Sequence, residues 1–358
     1  MPFKAELFKL FIKRRFLLIM LGLILYTGIR TAIVLQNSYS LRGADLETYK
    51  EYIGAFAGEI TEEKIDEYNS LCEMYDSLYD LQRQLLEQSA ADRESAKRRE
   101  MLDGVNHMIE TKQGFNLFSE RFQSAMLGDQ PLCDVIPWNI LLAERIDVVY
   151  VFAVIVGVLL LSVNDSASGM NYIRFATKRG KLRLQFTDAV LCFLLTVLLG
   201  VVLLFVKWLS VDGVYGIDYF DYPITSIDLF TSCIKDISLG QCFWISGAVK
   251  IIGYVYLGGI CYLLGAIFKS AVNVVFPALI SVFLPAYILQ YRRILYLLPF
   301  PTGPLLTNGY YMNADASTGL QFSDIPVKSC VVFLGSLVLT GVLFYMIGGA
   351  VNLRRNRL

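Results

Sequence analysis

Asp165, Gly169, Met170, Ile173, Arg174, Lys178, Arg179 and Gly180 all fall in one stretch, NDSASGMNYIRFATKRGKLR (164–183), between two apolar runs. Asp165 stands where a helix N-cap belongs, Lys178 and Arg179 fall in the last turn, and Gly180 takes the C′ position, so the stretch reads as one short capped helix. Met170 and Ile173 share one face of it, and Tyr172, Phe175 and Ala176 another. Arg174, Lys178, Arg179, Lys181 and Arg183 outweigh Asp165 and the bordering Asp188. A basic loop between membrane spans belongs in the cytoplasm. The chemistry open to such a helix is mechanical: its apolar and aromatic side chains give a cytoplasmic partner something to push against.

Covalent chemistry finds little to work with. His107 is the only histidine, so neither a Ser-His pair nor a histidine metal cluster can be assembled. Seven cysteines include no C-x-x-C pair. GAIFKS at 265–270 lacks the glycine pair and Gly-Lys of a phosphate-binding loop. Asp212, Asp218, Asp221, Asp228 and Asp236 are scattered along a loop, where solvation explains them more simply than a bound cation does. Lys250 lies about two turns inside an apolar run, where a buried charge flags function; its long stem also lets it snorkel outward. No acidic residue is expected in the interior of any span, so a transporter built this way takes its energy from a separate subunit.

The elements that would position these residues follow from composition. The 358 residues are 55% hydrophobic and 18% charged, with mean hydropathy +0.50. This is the balance of a polytopic membrane protein, not of a soluble domain. The expected fold is all-α, with six transmembrane helices and an extracellular helical insert after the first. Residues 1–15 read as an interfacial amphipathic helix, with Phe3, Leu7, Leu10 and Phe11 on one side; a signal-peptide n-region is the alternative. The spans are expected at 16–36, 147–163, 189–208, 242–268, 271–290 and 328–351. Between them lie the insert (37–146), the cytoplasmic coupling region (164–188), an extracellular loop (209–241) and an extracellular re-entrant loop (291–327) closed by Pro299 and Pro301. Residues 352–358 form a basic tail. Arg30 and Lys207 sit at the outer boundaries of their spans.

Charge segregation sets the orientation. Residues 37–147 carry 11 Lys+Arg against 22 Asp+Glu, whereas the segments assigned to the cytoplasm carry 14 against three. Both termini therefore belong inside and the insert outside.

In the insert, Thr61 caps an expected helix to about Gln88, with Ile65, Tyr68, Cys72, Tyr75 and Tyr79 as its stripe and Leu71, Leu78 and Leu85 beside it. Further helices are expected over Ser95–Thr111 and Phe115–Met126, giving a small antiparallel bundle. Cys72 and Cys133 both fall outside, where a disulfide is allowed. Cys233 is there too, and Cys72 on an apolar stripe is equally explained by packing, so the pairing stays open.

This layout resembles the permease subunits of type-2 ABC exporters, specifically members of Gram-positive bacteria with a large extracellular insert. The likeness in architecture covers nearly the whole chain. In sequence it is carried by Asp165, Gly169 and Arg179-Gly180, in the order acidic residue, glycine, basic-small turn. YIGAFAGEITEEKIDEY at 52–68 is similar in wording to inserts of that group, and Asp188 stands near the position where the family often has a lysine. The resemblance implies a bacterial plasma-membrane protein with no cofactor of its own and no nucleic-acid partner. It implies a second permease copy, as homo- or heterodimer, and a separate ABC ATPase that binds ATP-Mg. Asp165, Gly169, Met170, Ile173, Arg174, Arg179 and Gly180 would be the ATPase-coupling residues, and Arg292, Arg293 and Lys250 the candidates for an outer gate. The cargo would be a peptide, a lipid or an amphiphilic drug. A different class remains open: a membrane sensor whose extracellular helical domain binds a ligand and whose cytoplasmic helix reports it. An intramembrane enzyme is the weakest reading, since the expected spans offer no paired Asp and no histidine.

Overall fold

The computed structural model describes residue 8 and residues 16–38, 41, 43–91, 96–142, 147–163, 180–227, 230, 237–268, 270–284 and 327–355; of 87–91, 96–98, 180–185, 215, 327–334 and 353 it describes the backbone alone. Every named regular element among them is helical, and the two bridges, Gly58 with Leu132 and Pro223 with Ser238, are isolated. In chain order the α-helices are α1 (Phe16–Ser38), α2 (Ala44–Phe56), α3 (Glu62–Ala91), α4 (Ala96–Glu110), α5 (Lys112–Leu127), α6 (Ile136–Leu142), α7 (Val148–Ser162), α8 (Gly180–Tyr215), α9 (Leu239–Phe268), α10 (Ala271–Phe283) and α11 (Val327–Arg355).

Among the described residues four stretches are long and apolar enough to cross a membrane: α1, Phe186–Val214 of α8, α9, and Gly335–Asn352 of α11. α7 and α10 are apolar but shorter. At 15 residues α7 rises only about 22 Å, less than the roughly 30 Å of a hydrocarbon core. The helix nearest the middle of the assembly is α9, which packs on α7, α8, α10 and α11 and buries residues on every side. That is the expected state of a helix that is apolar all round. Its glycines let neighbours in. A Cβ on Gly258 would overlap Thr196 of α8 and the Tyr345 hydroxyl of α11, and one on Gly259 would come within 2.9 Å of the Gly341 carbonyl. Through that gap the Tyr345 hydroxyl donates to the Val255 carbonyl at 3.2 Å, which satisfies a polar group in an apolar crossing.

The insert is a helical bundle with an aromatic core. Phe115, Phe118 and Phe122 of α5 line one face at helical spacing, and they meet Tyr52 and Phe56 of α2 and Tyr68 and Tyr75 of α3. Tyr75 stacks on Phe115 at 3.8 Å between ring centres, and Tyr68 on Phe122 at 4.4 Å. Thr61 does precede α3, and its hydroxyl lies 3.4 Å from the Lys64 N–H. The expected stripe on α3 is rotated at its far end. Tyr68, Tyr75 and Leu78 are buried, whereas Tyr79 is 56% exposed and carries the Lys112 ammonium over its ring.

Two helices of the insert have no counterpart in the expectations. α2 docks on α5, where the Gly114 N–H donates to the Asp45 carboxylate at 3.0 Å and leaves no room for a Cβ. α6 is a seven-residue wedge that touches α1, α8 and α9. The core of the insert continues through it, from Phe118 by way of Trp138 to Val249 and Tyr256 of α9.

α8 also departs from expectation. A helix from 189 to 208 was expected, and the observed one spans 36 residues, about 54 Å. No proline interrupts 180–188, so helix propagates past the apolar window in both directions. Gly180, expected to close the preceding short helix, is instead the first residue of α8. The far end stops at Gly216, whose φ of 77° only glycine adopts freely and whose N–H bonds the Asp212 carbonyl at 2.9 Å.

Candidate functional site

Asp147 precedes α7 at its N-cap, yet its carboxylate makes no capping hydrogen bond. Both oxygens are given to cations from other helices. Arg30 Nη1 of α1 donates to Oδ1 at 3.2 Å, and Lys207 Nζ of α8 donates to Oδ2 at 2.9 Å. The Asp147 side chain is 7% exposed, that of Lys207 19% and that of Arg30 39%. One carboxylate thus ties together three helices that follow widely separated parts of the chain. A buried carboxylate needs such partners, and losing one is far more costly than losing a surface pair.

The surroundings are polar on one side. Thr27, a turn before Arg30, and Thr31, next to it, are buried, and Thr27 Oγ1 donates to the Tyr150 hydroxyl at 3.2 Å. Beside the cluster is a partly open cavity of about 200 Å³, walled by α1, α6, Asp147 and Lys207. Asn139 of α6 lines it, and the Asn139 Oδ1 is buried with no hydrogen-bond partner.

The residues expected from the sequence to act are distributed as follows. Asp165, Gly169, Met170, Ile173, Arg174 and Arg179 lie outside the described residues, as do Arg292 and Arg293. Lys250 is 4% exposed within α9, so it does not snorkel to the surface. Cys72 and Cys133 are both free thiols, and the candidate bridge between them is not formed. Cys72 sits one turn from Tyr68 on α3, whereas the backbone pairing of Leu132 with Gly58 fixes Cys133 in the neighbourhood of Tyr49, Tyr219 and Tyr222. Among the described residues no three His, Cys, Asp or Glu side chains gather where they could hold a metal ion.

The cluster itself was half visible in sequence. Arg30 and Lys207 stand out as charges at the ends of apolar runs, but nothing in their spacing pairs them with Asp147, 117 and 60 residues away. Comparison of the chain with protein-family models, with curated proteins and with solved structures gives no match.

Proposed function

We propose that this chain is the membrane permease subunit of an ATP-driven exporter of the type-2 ABC kind. It would have six spans, the insert outside and both termini in the cytoplasm. α7 and α10 would be the two spans beyond the four long apolar helices, each extended by flanking residues. A separate ATPase would bind ATP-Mg and press on residues 164–179, with Asp165, Gly169, Met170, Ile173, Arg174 and Arg179 as the contact. A second permease copy would complete the path for a peptide, a lipid or an amphiphilic drug.

The observation that supports this reading most is the continuity of α8. Its apolar window begins at Phe186, but the helix begins at Gly180, directly after the basic stretch. A push delivered to the start of α8 would enter a single helix about 54 Å long. The rod carries Lys207 near its other end, and through Asp147 and Arg30 it would act on α7 and α1. Displacement in the cytoplasm would so become displacement at the insert side.

The test is purification from the native membrane in mild detergent. A P-loop ATPase in equal amount, lost on Asp165→Lys or Gly169→Trp, is the expected result. Recovery of the chain without any ATPase would sink the exporter reading. It would favour the sensor, in which the same rod carries a signal from the insert inward.

A further inference from the structure

We propose that the cavity beside Asp147 is a binding site for a phosphate-type oxyanion, presented by the headgroup of an anionic lipid or supplied free. The inference needs only that α1, α7 and α8 lie in a membrane, and so stands apart from the exporter reading.

Charge is the first argument. Among the described residues of the wall, Arg30 and Lys207 are the cations and Asp147 is the one anion, so a single positive charge is left over. A surplus charge on cations that are partly withdrawn from water favours a counter-charge beside them. A monoanion would balance it.

Donor geometry is the second. Arg30 gives Nη1 to Asp147 and Lys207 gives one N–H, which leaves each cation with further donors. Two cations from different helices, held apart by one carboxylate, form a fork that suits an oxyanion with several acceptor oxygens. Thr31 lines the same wall, and its hydroxyl adds a neutral donor beside the two cations.

Position is the third. Tyr26, Ile29 and Ile33 share the face of α1 that carries Arg30, and all three are exposed. A lipid whose headgroup enters the cavity would lay its chains along that face. The cavity, at about 200 Å³, is the size of a headgroup and not of a whole lipid.

The experiment uses full-length protein in phosphatidylcholine nanodiscs, to which phosphatidylglycerol is added; bound lipid is counted by native mass spectrometry. A parallel arm offers inorganic phosphate. The expected result is one retained phosphatidylglycerol per chain, preferred about tenfold over phosphatidylcholine. Lys207→Gln and Arg30→Gln each lower that preference about tenfold, and Asp147→Asn, which adds to the surplus positive charge, raises it. If Asp147→Asn does not fold, the other two variants decide. Binding of inorganic phosphate without preference between lipids, lost in Lys207→Gln, keeps the anion site and makes its occupant a free anion. Equal retention of both lipids with no phosphate bound, or variants that melt lower but leave the preference unchanged, overturns the proposal and leaves a structural clamp.

Discussion

Trp138 Nε1 donates to the Asp218 carbonyl at 3.0 Å, and that bond joins the last helix of the insert to the loop that follows α8. The indole is 1% exposed and meets Phe220 edge-on, with ring centres 5.1 Å apart. Trp138→Phe, which removes the hydrogen bond together with part of the ring volume, should cost about 1–3 kcal/mol. Trp138→Ala also empties the site and should cost roughly 3–5 kcal/mol. Thermal unfolding of the purified protein checks both. Equal melting temperatures for wild type and Trp138→Phe would mean that the bond contributes nothing.

The glycines of α9 give a sharper prediction, because they differ in what surrounds them. Gly258→Ala places a methyl group against Thr196 and Tyr345, whereas Gly22→Ala on α1 meets nothing within 4 Å. The first should destabilise the bundle by about 1–3 kcal/mol, and the second should be neutral or slightly stabilising. Thr196→Ser removes the Cγ2 that the new methyl group would strike, and should restore part of the loss. A double variant no better than Gly258→Ala would show that this contact is not the cause.

The sequence made the long apolar helices and the three charged-face helices of the insert legible, since both depend on periodicity within one segment. Thr61, Tyr68 and Tyr75 took their expected places for that reason, and a helix covers 115–126 as expected. What it did not disclose depends on partners distant in the chain. α2 carries no strong stripe until Tyr49, Ile53 and Phe56 are seen to bury against α5. α6 is too short for a periodic pattern and exists because Trp138 fits between the insert and α9. Asp147 reads as an ordinary acidic residue before an apolar run, and only folding brings Arg30 and Lys207 to it.

Alkaline pH should loosen the insert and its junction. Burial pushes the Tyr219 hydroxyl up from its ordinary value of 10.0 to about 12, with the Asp218 charge and then Tyr222 adding to it. Burial likewise raises Tyr49, helped by Asp134, and Tyr75, helped by its hydrogen bond to Tyr52. A tyrosine raised in the folded state is ionised first in the unfolded one. Its contribution is therefore complete below pH 10 and is lost as pH rises through about 12. Tyrosinate absorbance and near-ultraviolet circular dichroism should change together above pH 10. Independent titration of these tyrosines at pH 10, with the fold intact, would contradict their burial.

Free thiols at Cys72 and Cys133 make a chemical prediction. Cys72 is half buried and Cys133 is 2% exposed, so a maleimide should label Cys72 in the native protein and Cys133 only after unfolding. Cys72→Ser and Cys133→Ser should each migrate like wild type on non-reducing gels. A reductant-sensitive mobility shift abolished by either substitution would restore the bridge.

The last prediction separates transmission along α8 from the binding of a partner. Arg183 lies in the part of α8 that precedes the apolar window, four residues into the helix and before Phe186. Arg183→Pro removes the donor that closes the first turn of α8 and so detaches that turn from the rod, at a local cost below the roughly 3 kcal/mol of a helix-interior proline. It leaves every side chain of 164–179 unchanged. If an ATPase binds that stretch, it should still co-purify with Arg183→Pro, but stimulation of its hydrolysis by transported substrate should fall at least about tenfold, because the detached first turn no longer passes displacement into the rod. Arg183→Ala, which keeps the helix and removes the charge, should behave like wild type. Loss of stimulation in Arg183→Ala as well would assign the effect to the guanidinium, and undiminished stimulation in Arg183→Pro would show that force reaches the membrane helices by a route other than α8.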